Sequence, residues 1–161
     1  MERDHLMSIA KERRNADLAR RVFGDHFSNV GPEEFVKLYA PDAVVYEYGL
    51  PGSPVMRGRE ELLAFLSQMA SGFPGATYDP ELVLPSGDHV VVVWRWKGSL
   101  SADFMGVKAA SQKIDLPGIM IYEFGEDGLV KTERVWWNFH EFLSQLGALP
   151  DGLDIPTAAG T

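Results

Sequence analysis

The sequence predicts an α+β fold in a single domain, and three observations carry that reading. Through the first seventy residues apolar side chains recur at spacings of three and four, the period of a helix with one buried stripe. From Thr77 onward the runs are β-branched and aromatic with a period nearer two. Pro85-Ser86-Gly87-Asp88 and Gly125-Glu126-Asp127-Gly128 are strong hairpin turns that join those runs. Helices first and hairpin-linked strands afterwards is the α+β order.

Each element follows from its residues. Leu18, Val22, Phe23, His26 and Phe27 form the stripe of a first helix that starts within the first fifteen residues and ends near Asn29–Gly31. Pro32 suits a first helical turn, and Glu33 and Glu34 complement a helix N-terminus, so Phe35, Leu38 and Tyr39 mark a second short helix ended by Pro41-Asp42. Ala43–Tyr48 reads as a strand, and the Pro- and Gly-rich stretch Gly49–Gly58 as a loop. A third helix runs from about Arg59 to Ala70 with Leu62, Leu63, Phe65, Leu66 and Met69. Strands are predicted at Thr77–Leu84, His89–Leu100, Lys113–Phe124 and Leu129–Asn138, followed by a short C-terminal helix. In His89–Ser99 the residues Val90, Val92, Trp94 and Trp96 share one face, which looks either into the interior or at a dimer partner, while Arg95 and Lys97 mark the wetter side. The domain spans residues 1–150, and the Gly/Ala/Pro/Asp-rich residues 151–161 read as a loose tail.

Composition narrows the function classes. The chain has 161 residues and a net charge of −8, which argues against nucleic-acid binding. The basic cluster Lys11, Arg13, Arg14, Arg20 and Arg21 is interleaved with acids and reads as a solvated helix face. There is no cysteine, which removes disulfides, thiolate nucleophiles and thiolate-held zinc. The N-terminus lacks the apolar core of a signal peptide and no apolar run is long enough to span a membrane, so a soluble cytoplasmic protein is expected. No His/Asp/Glu cluster has metal-ligand spacing and no phosphate-loop, dinucleotide or G-x-S-x-G motif occurs, so no metal and no cofactor are expected.

The most informative stretch is Gly128–Gly147, a turn, a strand and a helix with Trp136, Trp137, Asn138 and His140 at the strand–helix junction. Aromatic bulk with a few polar groups suits the wall and mouth of a small-molecule pocket, and equally an ordinary core with one satisfied amide. His140 is a candidate proton carrier or a hydrogen-bonded structural histidine, and His26, on the apolar side of the first helix, reads as structural, with lining the pocket as the alternative.

Two segments carry a family resemblance. LYAPDAVVYEYGLPGSPVMRGREELLAFL resembles the front half of SnoaL-like and ketosteroid-isomerase-like domains, members of the nuclear-transport-factor-2-like superfamily. The stretch from VVVVWRWKG to FLSQLG resembles a SnoaL-like polyketide-cyclase domain, through F-M-G-V, the aromatic-F-x-x-D-G hairpin and the closing Q-L-G. The resemblance implies a cone-shaped α+β barrel, a curved antiparallel sheet wrapped around three N-terminal helices, with a cavity at one end and a homodimer through the sheet's outer face.

It also implies site residues. In D-A-V-V-Y-E the isomerase base position falls on Glu47, where desolvation would raise the carboxyl toward a useful range; the alternative is an edge residue or a salt bridge to Arg57 or Arg59. The isomerases' oxyanion-hole tyrosine falls on Phe23 and their protonated acid on Met120, neither of which donates, which argues against steroid-type isomerisation. The cyclases' acid/base carboxylate falls on Asn138, which can hydrogen-bond a carbonyl but carries no proton near pH 7. The expected catalytic set is Glu47 with Asn138 or His140, inside a lining of Phe23, Phe27, Tyr46, Trp94, Trp96, Met120 and Trp137. The expected activity is cofactor-free proton transfer, isomerisation or cyclisation on a hydrophobic, oxygenated ligand of polyketide-like or terpenoid-like type. A non-catalytic ligand-binding or stabilising domain is the rival. Epoxide hydrolysis ranks lower, because the last strand has Arg134 but no Asp near Trp136–Asn138.

Overall fold

A six-stranded open sheet in the order β2-β1-β6-β5-β4-β3 organises the molecule. The structure is a computed structural model that describes residues 2–150, so the predicted tail lies outside the described residues. The strands are β1 (Tyr39–Glu47), β2 (Val55–Arg57), β3 (Thr77–Ser86), β4 (His89–Ser99), β5 (Lys113–Phe124) and β6 (Val130–Trp137). The helices are α1 (Glu2–Gly24), α2 (Phe27–Val30), α3 (Pro32–Phe35), α4 (Gly58–Gly72) and α5 (Phe139–Gln145), with a 3₁₀ turn at Val36–Leu38. The sheet is curved and unclosed, the cone-like α+β form expected. α1 packs on β3 and β4, α4 on β1 and β2, and α5 on β5.

Several boundaries differ from the sequence reading, each for a local reason. The first helix stops at Gly24, and the chain restarts as α2 with His26 as N-cap, its ring accepting from the Ser28 N–H. The second helix is only α3 plus the 3₁₀ turn, because the chain is already extended at Tyr39. Pro41 therefore sits inside β1, in the register shift between Tyr39 and Val44 where no ladder N–H is demanded of it. The loop Gly49–Gly58 hides β2, which pairs with β1 through Val44↔Arg57 and Tyr46↔Val55. β1 and β6 run parallel, whereas every other pair is antiparallel as expected.

The hairpin turns form as predicted, with Gly87 and Gly128 at positive φ. Strand alternation then divides the sheet. Val90, Val92, Trp94 and Trp96 of β4 are buried and face the helices, which settles the two tryptophans as interior. On β5, Gly118 lets the Trp94 ring lie flat against the backbone: a Cβ there would stand 2.1 Å from Trp94 Cζ2. Phe142, wholly buried, anchors α5 by stacking on Trp96 and meeting Trp137 edge-on at 5.3 Å. Gln145 clamps the same helix to β5, accepting from the Asp115 N–H and donating back to the Asp115 carbonyl.

Candidate functional site

The inner face of the sheet and the helices above it enclose a cavity of about 70 Å³. Its walls come from α1 (Phe23), the start of α2 (His26, Phe27), α4 (Leu62, Phe65, Leu66, Met69) and alternate residues of the strands. The lining is aromatic and aliphatic except at two carboxyl groups, Glu47 and Glu133, and the phenols of Tyr39, Tyr78 and Tyr122.

Glu47 ends β1 on the inner face, following Ala43 and Val45 in the strand's alternation, and is 5% exposed. Its Oε1 accepts the Trp137 Nε1–H at 2.8 Å and the Gly49 N–H at 3.1 Å. Gly49 is needed for that arrangement, since a Cβ on it would lie 2.1 Å from Trp137 Nε1. Burial raises the carboxyl from 4.5 to about 7, against the pull of the two hydrogen bonds; the charge of Glu133 adds to the rise. Neither Arg57 nor Arg59 pairs with it. The Arg59 guanidinium bonds the Tyr39 and Lys37 carbonyls, and the Arg57 N–H bonds Glu61.

Glu133 sits on β6 beside Val45, also 5% exposed, with its Oε2 accepting from the Tyr39 hydroxyl. The Tyr122 hydroxyl lies within hydrogen-bond reach of Tyr39 and 3.2 Å from Met120 Sδ. Burial pushes Glu133 to about 7, opposed by the Tyr39 bond. Burial also lifts the Tyr39 and Tyr122 phenols well above their ordinary range, with the nearby Glu133 charge adding to it. His26 stacks on Tyr78 with ring centroids 3.9 Å apart, and burial holds its imidazole neutral by lowering it to about 3. The indole N–H groups of Trp94 and Trp96 are buried without a partner among the described residues.

Of the residues singled out from the sequence, Glu47, Phe23, Phe27, Trp94, Trp96, Met120 and Trp137 meet at this cavity. Three do not. Tyr46 alternates to the outer face of β1, stacking on Tyr48 with the Arg134 guanidinium 5.1 Å from its ring centre. Asn138 is exposed and caps α5, its Oδ1 accepting the Glu141 N–H at 3.0 Å, and it is not part of the lining. His140, in the first turn of α5, is not part of the lining, and its Nε2 is buried without a partner among the described residues. Trp136 also turns outward, 40% exposed, and stacks on Tyr48.

Sequence reasoning missed Glu133, Tyr39 and Tyr122. The signal for Glu133 was available, because in Glu133-Arg134-Val135-Trp136-Trp137 a period of two places it on the face of Val135 and Trp137. The sequence pattern places Tyr39 in a helix, and Tyr122 lies two residues after Met120 on the same face of β5. Among the described residues, no group of three or more His, Asp or Glu side chains is placed to hold a metal ion.

Solved structures of similar fold include a SnoaL-like polyketide cyclase candidate from Jannaschia sp. CCS1, 22% identical, TM-score 0.77, covering 87% of this chain and 96% of that one. A phenazine biosynthesis-related protein of Pseudomonas aeruginosa is 17% identical, with TM-score 0.75 and 92% of each chain covered. A hydroxylase candidate from Streptomyces galilaeus is 18% identical, with TM-score 0.74, covering 87% of this chain and 89% of that one. At these identities the likeness is one of fold. A search of the curated proteins matched none of them. The family model described as the SnoaL-like domain matches residues 19–133, most of the folded chain, and the protein belongs to that family.

Proposed function

We propose that the protein is a cofactor-independent enzyme that removes a proton next to a carbonyl group in a hydrophobic, oxygenated small molecule. Isomerisation or cyclisation of a polyketide-like or terpenoid-like compound is the reaction class. The observation that carries this reading is Glu47: a carboxyl buried in an aromatic cavity, oriented by two donors on one oxygen, with its pKa near 7. A base of that pKa is half ionised at neutral pH and strong enough to take an activated carbon-bound proton. Asn138 and His140 have no part in this mechanism, since neither lines the cavity. On a substrate turned over by the wild type, Glu47→Gln lowers turnover by about 10²–10⁴-fold; a loss below tenfold removes Glu47 from the mechanism. Tight binding of aromatic carbonyl ligands, read by tryptophan fluorescence with no product across a panel, instead favours a binding domain.

The protein acts as a homodimer through the outer face of the sheet. Val55, Tyr48, Trp136, Ile119, Leu82 and Leu84 are large apolar side chains exposed on or beside that face across its strands. A second copy would cover this band. Sedimentation at micromolar concentration gives a dimer that Ile119→Glu dissociates; a monomeric wild type refutes the assembly.

A further inference from the structure

Glu133 is a second buried carboxyl in the same cavity as Glu47, and the base reading leaves it without a task. The sheet register fixes their relation. β1 and β6 are parallel neighbours with Val45 beside Glu133 and Glu47 beside Val135, and both carboxyls face inward. They are therefore diagonal neighbours on one wall, one strand apart across the sheet and two residues apart along it. Hydrogen bonds complete the pattern. Glu47 receives both of its donors on Oε1, and Glu133 receives the Tyr39 hydroxyl on Oε2. Among the described residues each carboxyl thus keeps one oxygen without a protein partner. A C–C=O unit with a hydrogen-bonded contact at each end roughly fills such a gap.

Resting on the base reading above, we propose that Glu133 is the general acid of this site, protonating the carbonyl oxygen of an enolisable ketone or enone while Glu47 takes the proton from the adjacent carbon. The C–H bond breaks at Glu47, its electron pair becomes the C=C bond, and the carbonyl π pair moves to oxygen, which takes the Glu133 proton. Glu47 ends protonated and Glu133 ionised. Return of a proton from Glu47 to the same or a conjugated carbon, and of the hydroxyl proton to Glu133, restores both groups without any co-reactant. Because both carboxyls project from the sheet, protons leave and arrive on one face of the substrate.

The groups around Glu133 suit an acid. Tyr39 bonds it, Tyr122 from β5 backs Tyr39, and the nearest other carboxyl is Glu47. The α4 side chains that line the cavity are apolar, and His26 between α1 and α2 is held neutral. No cation among the described lining residues competes for the carboxyl. Tyr39 and Tyr122 are positioning residues in this scheme.

The test uses cyclohexanone and 2-tetralone as probes, with exchange of their α-hydrogens for deuterium followed by NMR in D₂O across pH. The wild-type rate falls on the alkaline side as Glu133 ionises. Glu133→Gln lowers the rate about 10²-fold or more and abolishes that falling limb. Tyr39→Phe moves the limb to higher pH, because the lost hydrogen bond favours the ionised acid; a merely structural tyrosine leaves it in place. A falling limb that survives in Glu133→Gln overturns the proposal while leaving Glu47 as base, whereas exchange unaffected by Glu47→Gln overturns the base reading itself. An activity-independent readout is the infrared band of a protonated carboxyl at pH 6. Glu47 contributes to this band as well, so Glu133→Gln removes the Glu133 part and leaves the Glu47 part. The Glu133 part, seen alone in Glu47→Gln, shifts when either probe saturates the site, and a band unchanged by Glu133→Gln overturns the proposal. If Glu133→Gln fails to fold, Glu133→Asp retains the limb at reduced rate, and its loss there counts against the acid role.

Discussion

Raising the pH from 5 to 8 is expected to destabilise this protein, the reverse of what salt-bridged carboxylates produce. Glu47 and Glu133 both stand at about 7 in the folded chain against 4.5 for an ordinary glutamate. A carboxyl whose pKa is raised by folding binds its proton more tightly in the native state, so its stabilisation is complete below 4.5 and lost as the pH climbs to 7. Between pH 8 and pH 5 each group contributes about 2–3 kcal/mol by linkage, or about 5 kcal/mol together. His26 works in the opposite direction. Its imidazole falls from 6.5 to about 3 on folding, so the unfolded chain takes up a proton that the native state refuses. That subtracts about 2 kcal/mol at pH 5 and leaves a net gain of about 3 kcal/mol over pH 8. Urea unfolding followed by tryptophan fluorescence reads this directly: at an m-value of about 2 kcal/mol/M the midpoint rises by about 1.5 M on going from pH 8 to pH 5. Either Glu47→Gln or Glu133→Gln removes most of the gain. A midpoint that increases from pH 5 to pH 8, or a Glu133→Gln slope equal to that of the wild type, refutes the burial argument for these carboxyls.

Other substitutions test the geometry piece by piece. Gly49→Ala drives a methyl into the Trp137 indole and costs about 1–3 kcal/mol, with Glu47 losing its oriented donor; urea midpoints and the Glu47 titration read both effects. Asn138→Ala removes the α5 cap at a cost of about 1 kcal/mol, and turnover per folded molecule stays within twofold because the amide is outside the cavity. Phe142→Ala costs about 3–5 kcal/mol in urea unfolding, since it empties the contact that α5 makes with Trp96 and Trp137.

Much of this molecule was legible before any coordinates. The period change at Thr77, the two glycine turns and the alternation of Val90, Val92, Trp94 and Trp96 yield four of the six strands and the inner face of β4. These signals are local, because turn chemistry and alternation depend on residues within a few positions of one another. Glu47 and Trp137 were found as separate candidates for the same reason, each in a recognisable strand. Their hydrogen bond, across ninety positions of sequence, was not.

What escaped the sequence is long-range. From the sequence Asn138 and His140 could be pocket residues or structural ones, and the turn into α5 uses the Asn138 Oδ1 as a cap and leaves both outside the cavity lining. Tyr39 looked helical because its neighbours are, and only pairing of β1 with β6 makes it extended and sets its hydroxyl on Glu133. The sequence by itself determined the α+β order, the turns and the aromatic inner face, since those rest on periodicity and local backbone preference. The tertiary structure alone decided that two carboxyls share one aromatic-walled cavity, because the parallel register of β1 and β6 joins strands far apart in the chain and burial then raises both to about 7.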